Sequence, residues 1–448
     1  MIFNYLKYLQ PTWYFNLQPK RNLNYFPTLE QLDRLGGIIE NDTAYISDEA
    51  RERDLAWQAF QRGYIADKQL KGIDVWKKIK LPIQDEYRFL KKNFHKGWVF
   101  YVLVLRLISL KNPLKEISGY KKSGGFNRND YSNKPITPNN WHFFESKLLS
   151  QNPLVSIIIP TLNRYEYLKD VFKDLEKQMY KNFEVIVVDQ TEDFQEEVYK
   201  GWDLDLKYWY QEEKALWKAR NEAIKAARGE YILLYDDDSL VEPDWIAQHL
   251  KTLDFFNADL SSGVSLSVVG GKVPAHYSYF RWSEQLDTGN VLLKKDVFRK
   301  IGLFDRQFEK QRMGDGEFGL RAYLAGYKNI SNPYAKRIHL KVGSGGLREM
   351  GSWDAFTPKN LFSPRPIPSV LYFARKYHGN AAARYLLMKS LPFSLVPYRF
   401  KGNRKAMLIA APVAVVLFPF VLIQMWLSWT AASKKLRQGA YIEYLNGF

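Results

Sequence analysis

Three consecutive aspartates, Asp236, Asp237 and Asp238, stand behind the apolar residues 231–234, with Tyr235 between them. Adjacent carboxylates repel one another, so their charges must be offset by solvent or by a bound cation. Carboxylate oxygens suit Mg or Mn, and such an ion usually shares its coordination shell with a phosphate group of a substrate. The triplet therefore indicates either a solvated turn or a divalent metal site.

Other polar residues also stand directly behind apolar runs. A predicted strand at residues 155–159 is followed by Thr161, Asn163 and Arg164, and a second apolar run ends at Asp189. Ligands bind at the carboxyl ends of strands in open α/β sheets. We therefore expect these residues and the triplet to line one crevice, although Asp189 by itself is more typical of a turn.

From residue 153 onward, the segments that must position these residues alternate between predicted strands and predicted helices. Short apolar runs and amphipathic stretches follow one another, which is typical of β-α units and predicts an α/β, Rossmann-like fold with a mostly parallel sheet. Residues 214–227 have helical spacing, with Gly229 at the predicted C-cap, and Pro243 is expected in the first turn of the next helix.

The N-terminal region is predicted to be helical and basic, with Ser47 as a helix cap. Residues 98–110 are too short to span a bilayer and indicate either a buried helix or a helix that contacts a membrane surface. A polar stretch that begins at residue 119 is typical of a linker. The first residues lack the pattern of a signal peptide, so we expect a cytosolic location for the domains.

Composition narrows the possible partners. The chain has 448 residues, a formal net charge of +17 and no cysteine. The lack of cysteine excludes disulfides, thiolate metal sites and cysteine nucleophiles. The positive charge indicates an anionic partner, but the basic residues are spread out and no nucleic-acid motif accompanies them, so nucleic-acid binding is not expected.

The C-terminal part contains an apolar segment with no charged residue between Lys405 and Lys434. Residues 407–429 are long enough to cross a bilayer. Pro412 and Pro419 disfavour a straight helix, so a kinked span and a re-entrant hairpin both remain open, beside a buried soluble helix. Basic residues on both sides suit anionic lipid headgroups.

Several motifs resemble, in order and spacing, the family 2 glycosyltransferases of GT-A fold. They are VSIIIPTLNR at residues 155–164, VVD at 187–189, ARN at 219–221, ARGEYILLYDDD at 227–238 and GN at 289–290. The resemblance covers residues 153 to about 345. It implies a GT-A catalytic domain that binds a nucleoside-diphosphate sugar.

The resemblance also implies roles for the crevice. Thr161 and Asp189 are expected near the nucleoside with Arg220 close by, while Asp236 and Asp238 form the acid-x-acid pair that meets the ribose and the metal-bound diphosphate. The implied donor-binding set is Thr161, Asn163, Arg164, Asp189, Arg220, Asp236 and Asp237.

The implied metal ligands are Asp238 and His339, because some relatives place a metal-binding histidine at the latter position, and the implied ion is Mn or Mg. A lone histidine is otherwise more often a packed or surface residue. Residues 343–348, which include Arg348, are either a phosphate-facing loop or an ordinary one.

Asp315 opens an apolar helical stretch that ends at residues 325–327. By pattern alone it is either a helix cap or a proton acceptor. Transfer of a sugar requires removal of the acceptor hydroxyl proton, which a carboxylate can take. The resemblance implies that Asp315 is this base, with Glu317 two residues later, and Gly314 stands where the relatives usually carry glutamate.

The predicted acceptor-binding residues are Trp282, Asn290, Gly314 and Glu317. Aromatic residues such as Trp282 either stack on sugars or form core, which is their commoner use. The Gln-x-x-Arg-Trp motif of processive synthases is missing after Asp315, and Arg281 lies upstream of it. One sugar per acceptor encounter is therefore expected.

These observations predict a membrane-associated, inverting, non-processive glycosyltransferase. It would move a sugar to a lipid-linked or cell-envelope glycan at the inner (cytoplasmic) membrane, with its catalytic domain on the cytoplasmic side. The alternative is a non-catalytic membrane module that binds nucleotide sugars. The predicted division is a helical region at 1–118, a linker at 119–152, a GT-A domain at 153–360 and a membrane-associating helical region at 361–448.

Overall fold

The computed structural model describes most of the chain, and for residues 391–393 and 404–415 it describes the backbone alone. The described residues are 1–20, 26, 27, 29–33, 35, 37–65, 76, 78–126, 128–268, 273–284, 286–342, 356, 358, 360, 362–394 and 404–445. The predicted loop at 343–348 lies outside them.

The N-terminal region is helical, as expected. The Ser47 hydroxyl accepts a hydrogen bond from the backbone amide of Ala50 and caps the third helix. The predicted linker begins inside a helix, and Trp141 within it is buried against the main domain. The helices are α1 (Leu6–Leu9), α2 (Leu29–Asp33), α3 (Asp48–Gln61), α4 (Ile83–Asn93), α5 (Lys96–Ile108), α6 (Pro113–Lys122) and α7 (Lys147–Gln151).

The main domain is built on one mixed sheet, with strand order β3-β2-β1-β4-β8-β6-β9-β5 and β7 paired to β9. Strands β3, β2, β1 and β4 run parallel, whereas β8 is antiparallel to both of its neighbours. The strands are β1 (Val155–Thr161), β2 (Phe183–Asp189), β3 (Leu206–Tyr210), β4 (Tyr231–Tyr235), β5 (Ser239–Val241), β6 (Leu260–Ser267), β7 (Arg281–Trp282), β8 (Asn290–Lys294) and β9 (Asn329–His339).

Helices cover this sheet because its central strands are apolar on both faces. Every residue of β1 and β2 is buried, which matches the near-continuous apolar runs typical of parallel strands. The predicted α/β class and mostly parallel core are confirmed. The helices of the domain are α8 (Tyr165–Glu176), α9 (Leu216–Ala226), α10 (Trp245–Phe255), α11 (Lys295–Ile301) and α12 (Gly314–Ala325).

Two predicted helix ends are wrong. Helix α9 ends at Ala226, and Gly229 lies two residues beyond its C-cap, Ala227. A Cβ on Gly229 would come within 2.7 Å of the Leu154 carbonyl oxygen, so this glycine permits close approach to β1. Helix α10 starts after Asp244, which leaves Pro243 outside its first turn.

Two long helices follow the sheet: α13 (Pro368–Ser394), which is interrupted at Gly379 with a φ of 81°, and α14 (Arg404–Gln438). They pack on each other, and the Arg375 guanidinium lies 4.2 Å from the Trp429 ring centroid. The chain then returns to the main domain, where the Leu303 amide donates to the Glu443 carbonyl. Within the described part of the chain, α14 contains a segment, Val416–Gln438, that is long and apolar enough to cross a membrane.

The three regions share a core. One hydrophobic cluster joins Phe3 and Trp57 of the N-terminal region, Ile158 of β1, Phe318 of α12 and Leu371 of α13. The N-terminal helices therefore pack directly on the face of the domain that carries α12, the helix whose first turn contains Asp315.

Candidate active site

The aspartate triplet lies at the carboxyl end of β4, and each carboxylate has its own partners. Asp236 accepts hydrogen bonds from Arg220 at 2.9 Å and from Arg337 at 2.8 Å. Asp237 accepts from the Thr161 hydroxyl at 2.8 Å and from Arg164 at 3.0 Å. Basic and hydroxyl donors thus offset part of the charge that the sequence places here.

The third carboxylate faces a histidine. Asp238 Oδ1 lies 3.3 Å from His339 Nε2, and its Oδ2 lies 3.2 Å from Arg164 Nη1. Strand pairing produces this approach, because Ser239 of β5 is opposite His339 of β9. Asp238 is buried, and His339 is partly exposed.

Asp236, Asp238 and His339 together form a group that fits a divalent ion. One ligand atom from each residue lies within 4.8 Å of the others. Two carboxylates and an imidazole suit Mn, and the carboxylates also suit Mg. The two predicted ligands, Asp238 and His339, thus lie close together in the structure, with Asp236 beside them.

The surroundings of Asp237 and Asp238 shift the pKa values of these two carboxyls in opposite directions. Burial, aided by the charge of Asp238, raises the pKa of Asp237 to about 6 against the opposing charge of Arg164. Burial acts in the same direction on Asp238, but the hydrogen bond from His339 and the charges of His339 and Arg164 outweigh it. The pKa of Asp238 is therefore lowered. Asp238 is thus the carboxyl better suited to hold a cation.

Sequence reasoning missed Arg337 and Asp287. The buried Arg337 guanidinium donates to Asp236 and, at 2.9 Å, to Asp287 Oδ2. Gly289 permits this contact, since a Cβ there would come within 2.1 Å of both Arg337 Nη1 and Asp236 Oδ2. The available signal was the position of Arg337 two residues before His339, because residues two apart in a strand lie on the same face of the sheet.

Three predicted donor residues lie beneath the crevice surface. Asp189 is fully buried and accepts hydrogen bonds from the Tyr165 hydroxyl at 2.6 Å and the Tyr199 hydroxyl at 2.7 Å. Thr161 and Arg220 are also fully buried. Direct contact with a donor is therefore corrected to a positioning role, in which Thr161 orients Asp237 and Arg220 orients Asp236.

Of the remaining donor candidates, Asp237 is also buried, whereas Asn163, Arg164 and Asp236 reach the surface of the crevice. Asn163 is exposed and has a φ of 55°, and its backbone amide donates to the Thr191 hydroxyl. The side chains of Arg164 and Asp236 are 15% and 18% exposed. These three residues are brought together at the carboxyl ends of β1 and β4, as predicted.

Asp315 lies in the first turn of α12, at a cavity of about 640 Å³. The Gly316 amide donates to Asp315 Oδ1 at 2.8 Å. The Tyr14 hydroxyl donates to the Gly316 carbonyl, and burial together with the charge of Asp315 raises the Tyr14 pKa well above its usual value. The cavity wall also includes Trp282 and, from the N-terminal region, Gln10, Thr12, Trp13, Tyr14 and Gln61.

Two of the predicted acceptor residues prove to be structural. Glu317 is fully buried and pairs with Arg321 at 3.1 Å and Lys376 at 3.2 Å. Asn290 is also fully buried, and its Oδ1 accepts from the Trp245 indole at 2.8 Å. Both side chains are occupied by internal partners, so the acceptor assignments of Glu317 and Asn290 are corrected.

Gly314 contributes to the site through its lack of a side chain. A Cβ there would lie 2.3 Å from Trp217 Cζ2. The Arg220 guanidinium lies 5.5 Å from the Trp217 ring centroid and also donates a hydrogen bond to Asp236. A chain of contacts thus joins Asp236 to the residue that precedes Asp315.

Comparison with known families identifies this arrangement. Residues 156–313 match the family model "Glycosyl transferase family 2". The domain belongs to glycosyltransferase family 2. The resemblance and the GT-A fold class expected for this glycosyltransferase domain are confirmed, and the match contains the aspartate triplet and ends two residues before Asp315.

Two curated relatives show the extent of the similarity. An uncharacterised glycosyltransferase of Rickettsia typhi is 31% identical over 178 residues, which are 35% of this chain and 55% of that protein. Glycosyltransferase GlyG of Streptococcus pneumoniae is 25% identical over 196 residues, 42% of this chain and 60% of that one. The chain thus spans less than two thirds of the length of these relatives.

Among solved structures, the mannosyltransferase PcManGT from Pyrobaculum calidifontis, in complex with GDP-Man and Mn²⁺, is 19% identical. The alignment covers 66% of this chain and 91% of that one, with a TM-score of 0.44. The N-terminal helices and the two C-terminal helices of this chain lie entirely outside the family match at residues 156–313.

Proposed function

We propose that the chain is a metal-dependent, inverting glycosyltransferase that transfers one sugar per encounter from a nucleoside-diphosphate sugar to a lipid-linked or cell-envelope glycan. The observation that supports this proposal best is the contact chain from Asp236 through Arg220 and Trp217 to Gly314, beside Asp315. It links a group suited to a metal and diphosphate with a carboxylate in a cavity large enough for a small ligand.

On the donor side, Asn163, Arg164 and Asp236 would contact the nucleotide sugar, which is supported by their exposure in the crevice. Asp236, Asp238 and His339 would hold Mn or Mg, which, when bound, supplies positive charge to the leaving diphosphate. Arg220 and Arg337 keep the Asp236 carboxylate oriented, so little reorganisation is needed when the donor binds.

On the acceptor side, Asp315 takes the proton of the attacking hydroxyl. The hydroxyl oxygen forms a bond to the anomeric carbon while the bond from that carbon to the diphosphate oxygen breaks, and the electron pair leaves with the diphosphate. Attack from the side opposite the leaving group inverts the anomeric configuration. The hydrogen bond from the Gly316 amide to Asp315 Oδ1 holds the carboxylate at the cavity, where it would meet the acceptor hydroxyl.

The cavity lining favours a saccharide acceptor. Trp13, Tyr14 and Trp282 supply aromatic surface, which packs against the apolar faces of sugar rings. Gln10 Oε1 and Ser331 Oγ are buried there and have no hydrogen-bond partner within the described part of the chain. Such polar atoms beside aromatic faces match the alternating hydroxyls and C–H faces of a sugar.

The C-terminal helices support membrane association. The end of α14 is fastened to the domain, where Lys435 donates to the Gln307 carbonyl at 2.6 Å. Farther from the domain, Val416, Phe418 and Trp426 are exposed, and Val416 is 73% exposed. The proposed location is the inner membrane with the catalytic domain on its cytoplasmic side, where the site would meet a lipid-linked acceptor.

The test is a screen of nucleotide sugars with the purified full chain in detergent. Release of free nucleoside diphosphate is measured with Mn²⁺, with Mg²⁺ and with a chelator, for the wild type, Asp238→Asn and the control Asp170→Asn on the exposed face of α8. We expect metal-dependent release for the wild type and the control only. Tight binding of a nucleotide sugar without any turnover would instead support the non-catalytic binding module.

A further inference from the structure

Helices α5 and α6 present apolar side chains to solvent, although neither belongs to the active site. Phe100 and Ile108 of α5 are 57% and 71% exposed, and Leu110 and Leu114 are 93% and 79% exposed. Phe100 and Ile108 lie eight residues apart, which places them on one side of α5, and Ile117 is one turn beyond Leu114 in α6. We call these five residues the α5–α6 surface.

Exposed apolar residues scattered singly need no explanation, but a group of five on two adjoining helices and the turn between them is uncommon for a soluble surface. The two helices pack on each other, and α5 buries Val99, Val102 and Leu105 on its other side. The packing of α5 against the rest of the protein therefore does not account for the apolar side chains on its outer side.

The charge around this surface has one sign. The exposed lysines are Lys96, Lys111, Lys115, Lys121 and Lys122. Residues 95–125 include a single acid, Glu116, which is 1% exposed. Glu116 accepts hydrogen bonds from Arg106 at 3.0 Å and from the Tyr87 hydroxyl at 2.9 Å, so its charge is directed inward. The outer side of both helices is consequently apolar and positive.

This surface is connected to the C-terminal helices. The Lys389 ammonium of α13 lies 5.4 Å from the Trp98 ring centroid of α5, and it donates to the Leu9 carbonyl of α1. Helix α13 in turn packs along α14, whose Phe418 and Trp426 are exposed. The two groups of exposed apolar side chains thus belong to helices joined by α13.

We propose that the α5–α6 surface rests on an anionic lipid bilayer as a second, interfacial membrane contact. With 13 and 10 residues, α5 and α6 are too short to span a bilayer. Apolar side chains flanked by lysines instead insert into the headgroup region while the charges meet anionic lipids. Contact at both α14 and the α5–α6 surface fixes how the catalytic domain faces the membrane.

The inference rests on the proposed membrane association, and one experiment tests the two separately. The chain has no cysteine, so a single cysteine gives a single labelled site. A polarity-sensitive fluorophore is attached at Leu114→Cys, at Phe418→Cys in α14 or at the control Met179→Cys, which is 72% exposed on the main domain. The full chain is measured on vesicles of phosphatidylcholine and phosphatidylglycerol in equal parts, with and without a quencher carried by the lipid.

We expect a blue shift and lipid quenching at positions 114 and 418 and neither effect at position 179. A water-like signal at 114 beside a lipid-like signal at 418 overturns the inference and leaves the membrane association standing. Water-like signals at both positions overturn both proposals. A blue shift at 114 that appears without vesicles and grows with protein concentration overturns the inference in favour of contact with a second copy of the chain.

A charge-reversal variant tests the contribution of the lysines. In the Leu114→Cys protein, Lys111→Glu with Lys115→Glu should reduce the lipid-quenched signal severalfold, because the acidic residues repel phosphatidylglycerol. The matched control Lys169→Glu changes an exposed lysine of α8 and should leave the signal unchanged. Equal signals from the reversal and the control would contradict an anionic-lipid contact.

Discussion

Gly314 lies directly against the indole of Trp217, so that a Cβ at position 314 would be 2.3 Å from Trp217 Cζ2. The indole is itself held, since its Nε1 donates to the Phe308 carbonyl at 3.1 Å. The space beside Gly314 is thus filled by an aromatic ring, which explains in physical terms why the position next to Asp315 carries no side chain.

This contact predicts a size exchange. Gly314→Ala should lower the free energy of unfolding by about 1–3 kcal/mol, because the added methyl overlaps a held ring. The double variant Trp217→Leu with Gly314→Ala should lose less free energy of unfolding than the two single variants lose in sum, because the smaller leucine leaves room for the methyl group. Chemical denaturation of the three variants measures this coupling, and strict additivity would show that the two residues do not compete for space.

Tyr14 provides a second prediction, because its hydroxyl donates to the Gly316 carbonyl in the first turn of α12. Tyr14→Phe should lower the rate of sugar transfer about fivefold to tenfold, the scale of one lost hydrogen bond. Binding of the nucleoside diphosphate, measured by calorimetry, should not change. The control Tyr208→Phe removes a hydroxyl whose partner is the exposed Glu196. A weaker nucleotide affinity in Tyr14→Phe would contradict an acceptor-side role.

Glu317 should behave as a structural residue. Glu317→Gln leaves Arg321 without its buried counter-charge and removes one of the two carboxylates that pair with Lys376, so it should destabilise the protein by about 3 kcal/mol. Glu222→Gln, on the exposed part of α9, should change stability by less than about 1 kcal/mol. Thermal unfolding distinguishes them. A Glu317→Gln protein of normal stability that lacks transfer activity would restore the acceptor role.

Metal binding gives a prediction that does not depend on turnover. Asp238→Asn and His339→Ala should each weaken Mn²⁺ binding at least about tenfold, because each removes one of three ligand atoms within 4.8 Å. The spin-resonance signal of free Mn²⁺ measures the affinity directly. Asp170→Asn is again the control, and unchanged Mn²⁺ affinity in both site variants would refute the ligand assignment.

The sequence predicted the parts of the site that depend on local pattern. Alternating apolar runs correctly placed β1, β2 and β4, and the polar residues behind them do meet at one edge of the sheet. The grouping of Asp238 with His339 relied on family resemblance, and β5–β9 pairing produces it. Asp189 was expected near the nucleoside from the family resemblance and from its place at the carboxyl end of a strand, and in the structure it is buried and bonded to two tyrosines, Tyr165 and Tyr199.

What the sequence did not reveal depends on contacts between distant segments. Tyr14 meets Gly316 across 302 positions, and Arg337 meets Asp236 across 101. Neither contact has a local signal, because it arises only when the N-terminal helices pack on α12 and when β9 enters the sheet beside β6. Burial of Glu317 likewise follows from Lys376 of α13, which lies 59 residues away.

We propose that Asp315 is the general base of an inverting transfer from a nucleotide sugar. Asp315→Asn keeps the size of the side chain but cannot accept the proton. The most direct measurement compares donor binding with single-turnover transfer in wild type and Asp315→Asn, with the anomeric configuration of the wild-type product read by proton NMR. We expect unchanged donor affinity, an inverted product and transfer slower by about 10²-fold or more. Near-normal transfer by Asp315→Asn, or a product with retained configuration, would contradict the claim.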